Sequence, residues 1–233
     1  MTAVDPASDA LASLGRARHL IARTTTAERV ADAVREEVAE GRLLPGARLP
    51  EQALCAALGV SRNTVREALS QLVSERVLVR EHNRGVFVAE PDRDIVRDVY
   101  RARRILEPAA VRHGEAFDEA GVALVRAAVT EGMAAAADDR WDDVGSANQH
   151  FHRALVALAG SARLDQQMAL LLAEMRLVFH RMPDVREFFE PYVARNDVIA
   201  GLIEAGDREA AAVEITDYLH AAEKQLLAAY EQL

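Results

Sequence analysis

Only one cysteine, Cys55, occurs in the 233 residues. A lone thiol cannot build a disulfide framework or a multi-cysteine metal site, so a reducing cytoplasm is the expected compartment and Cys55 reads as small apolar filler. Aromatic residues are scarce at 5%. With alanine and leucine dominating the second half, this scarcity disfavours a β-sandwich and favours helices packed on helices. No uninterrupted apolar run approaches the roughly 20 residues that span a bilayer. The opening M-T-A-V-D-P-A-S-D carries acids where a signal peptide carries bases. Neither membrane insertion nor secretion is expected. The second half also lacks the G-x-G and G-K-[ST] phosphate cradles and the G-x-S-x-G elbow, so no enzyme motif is recognisable there.

What is present is enough apolar residue, half of the chain, for two modest domains or one large one. The net charge of −9 would argue against nucleic acid if it were evenly spread. It is not. Residues 1–90 hold 12 Arg and 12 acidic residues, whereas residues 91–233 hold 16 basic and 25 acidic ones. Within residues 42–84 there are 7 Arg against 4 Glu. Phosphate contacts respond to the local field within a Debye length of about 10 Å, so an acidic chain can still present a basic face.

Residues 1–26 show little hydrophobic periodicity and read as a flexible leader that becomes helical near Leu20. Thr26 then caps a helix over 27–40 with Val30, Val34 and Val38 on one stripe, and Gly41 ends it. Two prolines and a glycine make L43-L-P-G-A-R-L-P50 a turn. Glu51 opens a short second helix with Leu54, Ala57 and Leu58 facing inward. Gly59 permits a tight turn, Val60 can staple onto Val65, and Ser61 is an N-cap for the amide of Asn63 or Thr64. In the helix that follows, Val65, Ala68, Leu69 and Leu72 share one arc. Asn63, Arg66, Glu67 and Ser70 share the opposite arc, with Arg62 at its edge.

A short helix, a glycine turn and a second helix with basic residues on its outer N-terminal face form a helix-turn-helix, whose second helix enters the DNA major groove. Arginine suits bidentate contact with guanine O6 and N7, and Asn63 and Thr64 can reach base edges or phosphate. Apolar V77-L-V-R80 and V86-F-V88 around E81-H-N-R-G85 predict a β-hairpin with a basic tip, a wing carrying His82 and Arg84 beside that helix. The competing reading is a plain helical hairpin with solvated arginines.

The motifs L44-P-G-A-R-L49, L58-G-V-S-R-N-T-V-R-E-A-L69 and R84-G-V-F-V88 resemble the winged helix-turn-helix of the GntR family of bacterial transcription regulators. The resemblance implies a DNA-binding domain over 27–90 and operator contacts by Arg62, Asn63, Thr64, Arg66 and the wing tip, with Arg48 joining the set. Gln52 stands where many relatives have arginine on the second helix.

Residues 91–233 read as an all-helical bundle. Pro91 ends the wing, Asp92 starts a helix, and breaks at Gly121, Asp138–Trp141, Gly160–Ser161, Pro183 and Gly206–Asp207 give about six helices. Arg103 with Glu107, and Asn148 with His152, form i, i+4 pairs; Arg176, Asn196, Tyr218 and His220 follow on later helices. Taken singly, such residues are more often surface or satisfied core groups than ligands. Other classes for this half are a metal-dependent helical-bundle enzyme, which needs at least three good ligands and a general base, or a protein-interaction module.

The pattern R103-x-x-x-E107-P, N148-x-x-F-H152-x-x-L155, N196-x-x-I199, A205-G-D-R-E-A-A211 and Tyr218 resembles the FCD domain of the FadR subfamily. That resemblance implies a homodimer and a small effector, often a carboxylate, in the bundle centre. Arg103, Glu107, Asn148, His152, Arg176, Asn196 and Tyr218 are its candidate lining. Many FCD domains hold a divalent ion with one aspartate and three histidines, and the matching positions here are Asn148, His152, Asn196 and Tyr218. One strong ligand remains, so no tightly held metal and no cofactor is expected, with weak binding through His152 or a shifted site at His220 left open. His150 and His220 lie two residues from the ligand-bearing positions, roughly 200° round their helices.

Overall fold

The computed structural model describes residues 25–39, 42–179 and 184–230. Two bodies follow one another along the chain: three helices with a hairpin, then a helical bundle. The leader before Thr25, Gly41 and Pro183 lie outside the described residues.

Helix α1, Thr26–Ala39, starts one residue earlier than the sequence pattern indicates. Thr25 is its cap: the Thr25 Oγ1 accepts the Glu28 amide at 3.1 Å while the Glu28 carboxylate reaches back to the Thr25 amide, a reciprocal capping box. Its Val30, Val34 and Val38 are buried as the four-residue spacing requires. Helix α2, Glu51–Leu58, departs from expectation because none of its residues is fully buried. Leu54 and Cys55 are half-buried against the core, whereas Ala57 is exposed and Leu58 is 40% exposed. Two turns of helix laid along the edge of α3 have room for only one inward row. Gly59, at φ 65°, then closes α2 in the left-handed region and donates to the Cys55 carbonyl at 3.0 Å.

Helix α3, Arg62–Ser74, buries Val65, Ala68, Leu69 and Leu72 completely. Strands β1, Leu78–Glu81, and β2, Gly85–Val88, pair antiparallel in the register Leu78↔Val88 to Glu81↔Gly85. The segment before α2 is more than a turn. Arg48 bridges Phe87, and the Leu49 amide donates to the Val86 carbonyl at 2.9 Å, so the chain lies along β2 as a third, minimal strand. Arg35 of α1 holds Glu75, just past α3, at 2.8 Å, locking the first helix to the end of the third.

The bundle has six helices among the described residues: α4 Arg93–His113, α5 Glu119–Ala137, α6 Trp141–Ala157, α7 Ala162–Phe179, α8 Val185–Glu204 and α9 Arg208–Ala229. The first break is not at Gly121, which lies inside the first turn of α5. It falls at residues 114–118, where a Cβ on Gly114 would sit 2.1 Å from the Leu158 carbonyl and the Asp118 carboxylate caps α5 through the Gly121 amide at 2.8 Å. Helix α5 has the length and mean composition to cross a membrane. It is instead a bundle helix with charged anchors: Val125, Ala128, Val129 and Ala135 face the core, and Arg126 binds Glu204 and Asp197. Helix α6 sits centrally, packed by α4, α5, α7 and α8. Helix α7 joins the two bodies, because its Leu177 is completely buried within the apolar cluster of the N-terminal body.

Candidate functional site

Two polar constellations stand apart from ordinary solvated surface. The first is the outer face of α3. Ser61 caps it as expected, accepting the Thr64 amide at 3.2 Å, so the first turn presents its side chains in a fixed register. Arg62, Asn63 and Arg66 are exposed there and Thr64 is half-exposed. The wing stands alongside: His82 and Arg84 are exposed at its tip, and the Arg48 Nε lies 3.5 Å from where a Cβ on Gly85 would sit. Arg84 is paired with Glu81 and stacks over Phe87 with its Cζ 5.4 Å from the ring centre. One further residue of this face was not singled out from the sequence. Glu51, at the start of α2, accepts the Arg66 Nε at 2.8 Å and so aims the guanidinium across the turn. No local sequence signal joins positions fifteen apart.

The second constellation is inside the bundle. The structure gathers six of the seven expected residues from four helices into one chain of hydrogen bonds. The Arg103 Nε donates to Glu107 Oε1 at 2.6 Å, and His152 Nδ1 meets Glu107 Oε2 at 2.7 Å. His152 Nε2 lies 3.3 Å from the Tyr218 hydroxyl, which donates to Asn148 Oδ1 at 2.9 Å. The Asn196 Nδ2 donates to the same oxygen at 2.9 Å. All six are buried. Arg176, the seventh, is also buried, with its Nη1 3.2 Å from the position of a Cβ on Gly145, three residues before Asn148. Tyr100 and Tyr192 complete the surroundings: Arg103 lies over the Tyr100 ring, and the Tyr192 ring centre is 4.7 Å from that of Tyr218. Tyr100 shares the i, i+3, i+7 row with Arg103 and Glu107, a spacing that could have revealed it.

Burial alone would push the Glu107 carboxyl up. The Arg103 charge and hydrogen bonds from His152 and Arg103 outweigh it and hold the carboxyl below its usual range. Burial likewise pushes His152 down, and the pull of Glu107 does not fully restore it, so the ring is neutral, donates from Nδ1 to the Glu107 carboxylate and leaves Nε2 to compete with Asn148 Oδ1 for the single Tyr218 proton. Burial raises the Tyr218 hydroxyl well above its ordinary value and that of Tyr192 to about 12, so both stay protonated.

These groups do not fit a divalent cation. The Asn148 carbonyl already accepts from Asn196, the Tyr218 oxygen keeps a single proton that only Asn148 or His152 Nε2 can take, the Glu107 carboxylate holds His152 Nδ1, and the Arg103 cation closes one end. His150 and His220 point elsewhere, His150 to Glu131 at 2.9 Å and His220 to the Thr216 carbonyl at 2.9 Å. Protein purified without chelator is expected to contain far less than one zinc, nickel or manganese per chain by elemental analysis. Near-stoichiometric metal that disappears in His152→Ala would contradict this.

Comparison with known proteins bears on both constellations. The family described as "Bacterial regulatory proteins, gntR family" matches residues 26–88, and the FCD domain matches residues 98–221. A protein of Paenarthrobacter nicotinovorans named "Probable D-xylose utilization operon transcriptional repressor" is 30% identical over 86% of this chain and 88% of its own length. The Escherichia coli mannosyl-D-glycerate transport/metabolism system repressor is 38% identical over 39% of this chain, and the match spans only 37% of that protein. A crystal structure described as that of "a putative transcriptional regulator GntR from Rhodococcus sp. RHA1" is 41% identical, covers 89% of this chain and all of its own, and superposes with a TM-score of 0.82. With a winged helix-turn-helix ahead of an FCD bundle, the chain belongs to the GntR family of DNA-binding transcription regulators and is not an enzyme.

Proposed function

We propose that the protein is a cytoplasmic repressor that binds a palindromic operator as a homodimer and is released or retuned by a small metabolite. Residues 27–90 read DNA; residues 91–233 sense the effector and dimerise. The observation that carries this reading is the capped, exposed N-terminal face of α3, with Arg62, Asn63, Thr64 and Arg66 beside Arg48 and a wing bearing His82 and Arg84. A groove beside α4, α7 and the end of α3, walled by Leu106, Leu164 and Leu171 with Arg76 and Glu174 at its rim and Ile105 70% exposed, supports a second copy.

The effector belongs to the buried chain of Arg103, Glu107, Asn148, His152, Asn196 and Tyr218, with Arg176 alongside. An organic acid is the expectation drawn from the resemblance, and the unpartnered Arg103 Nη2 supports it. Footprinting on the DNA upstream of the gene at fixed moderate salt tests the whole. Two protected half-sites about one helical turn apart are expected. Uniform binding to unrelated duplex with no protected site would remove the operator reading.

A further inference from the structure

The DNA-binding head is joined to the bundle through residues 89–92, and each of them is engaged on one side or the other. The Ala89 amide donates to the Val77 carbonyl at 3.0 Å, which extends the hairpin by one residue. The Glu90 side chain lies against Gly46, its Oε1 in the space that a Cβ there would need. On the bundle side, the Asp92 carboxylate caps α4 by accepting the Asp94 and Ile95 amides at 3.0 and 2.9 Å. Between them Pro91 is buried, its φ set by its ring. The Pro91 carbonyl lies one residue outside the α4 ladder, in which the Val96 amide donates to the Asp92 carbonyl. It accepts from the Tyr230 hydroxyl at 3.2 Å, across 139 positions of sequence. The joint is therefore short: Glu90 rests on the head and Pro91 is held by the bundle.

Beyond the joint, Leu177 of α7 fills the apolar cluster of the head. An apolar contact is non-directional, so it keeps the head close without fixing its rotation about the contact. A hydrogen bond to a carbonyl is directional, and Tyr230 supplies one at the joint. The Tyr230 ring is half-buried against the bundle core, so packing aims the hydroxyl. At 3.2 Å the bond is long for a hydroxyl donor and costs little to open. Tyr230 closes α9, the helix that also carries Tyr218 of the buried chain, about 18 Å back along the same axis.

We propose that Tyr230 is a positioning residue for DNA reading: by holding the Pro91 carbonyl, its hydroxyl fixes the angle at which the bundle presents α3 and the wing, and so sets the half-site spacing that the two heads of a dimer meet. The spacing rests on the dimer and palindrome reading above; the holding of the head within one chain does not.

The test uses Tyr230→Phe in the full-length protein, which removes the hydroxyl and keeps the packed ring. In the first arm, spin labels on Ala57→Cys in the head and Ala127→Cys in the bundle, both exposed positions, report head orientation in a Cys55→Ala background. The labelled chain is diluted with unlabelled protein so that distances within one chain are read. A narrow distance distribution is expected for the parent and a clearly broader one for Tyr230→Phe; an unchanged centre and width overturn the proposal. In the second arm, the footprinted operator is compared with duplexes whose half-sites are moved by one base pair, about 35° of rotation. The parent is expected to lose at least about tenfold in affinity on each altered duplex, and Tyr230→Phe no more than about threefold. A lower melting temperature with label distances and spacing preference as in the parent would show a structural role alone and remove Tyr230 from positioning. A parent that protects a single half-site would overturn the dimeric operator, and the label distances would still decide whether Tyr230 holds the head.

Discussion

Replacing Arg103 with alanine is expected to destabilise the full-length protein by about 3–5 kcal/mol in urea unfolding, the cost of leaving a buried carboxylate without its cation. Glu107 has no exposure to water, and its other partner, His152, is neutral and already spent on Oε2. The double replacement Arg103→Met with Glu107→Leu removes both charges and should recover most of the loss, because apolar groups of similar volume replace a buried pair at little cost. A single variant as stable as the parent would show that water reaches Glu107 and that the interior is not dry. The same pair sets an acid limit. The folded Glu107 carboxyl lies below its ordinary value of 4.5, so its contribution is complete above that value and is lost as pH falls through the lower folded one. In Glu107→Gln the stability curve should therefore be flatter on the acid side.

Replacing Arg66 with alanine is expected to cost about 1–3 kcal/mol per half-site, so about 2–6 kcal/mol for a dimer on a palindrome, enough to abolish specific binding at moderate salt. Arg62→Ala should act similarly. The side chain is exposed, and neither helix core nor bundle depends on it, so melting and dimerisation should not change. Glu51→Gln separates contact from aiming: it weakens the hold on the Arg66 Nε while leaving every arginine in place. A smaller loss, concentrated at one base pair when operator variants are compared, is the expected signature. Operator affinity unchanged in Arg66→Ala at fixed salt would remove α3 from sequence readout.

The parts of this fold that were legible in the sequence are those governed by neighbours along the chain. Val65, Ala68, Leu69 and Leu72 repeat at helical spacing, and Ser61 and Gly59 have local conformational reasons to stand where they do. The errors fall where a distant partner decides. Nothing within α2 says that Ala57 and Leu58 face water, because that depends on how the helix lies along α3. Gly121 reads as a breaker, but Gly114 ends the preceding helix under the pressure of Leu158, 44 positions away. In the bundle, the i, i+4 pairs identified Arg103, Glu107, Asn148 and His152 one helix at a time. That they meet Asn196 and Tyr218 in one hydrogen-bonded chain follows from helix packing, which no single period encodes. The Arg48 bridge to Phe87 escaped for the same reason: a single bridging residue has no periodicity to detect.

Leu177 belongs by sequence to the sensor and by packing to the reader. It closes the apolar cluster formed by α1, α3 and the hairpin, with Ala173 one turn behind it against the same surface. A chain divided at Pro91 would therefore give two fragments, one with an empty socket and the other with a bare plug. Heads of this kind cannot be exchanged freely among sensor bundles. A transplanted head needs a bundle whose fourth helix offers a side chain of the same shape at the same height, so any lineage that shuffled the two halves had to change the socket and its stopper together.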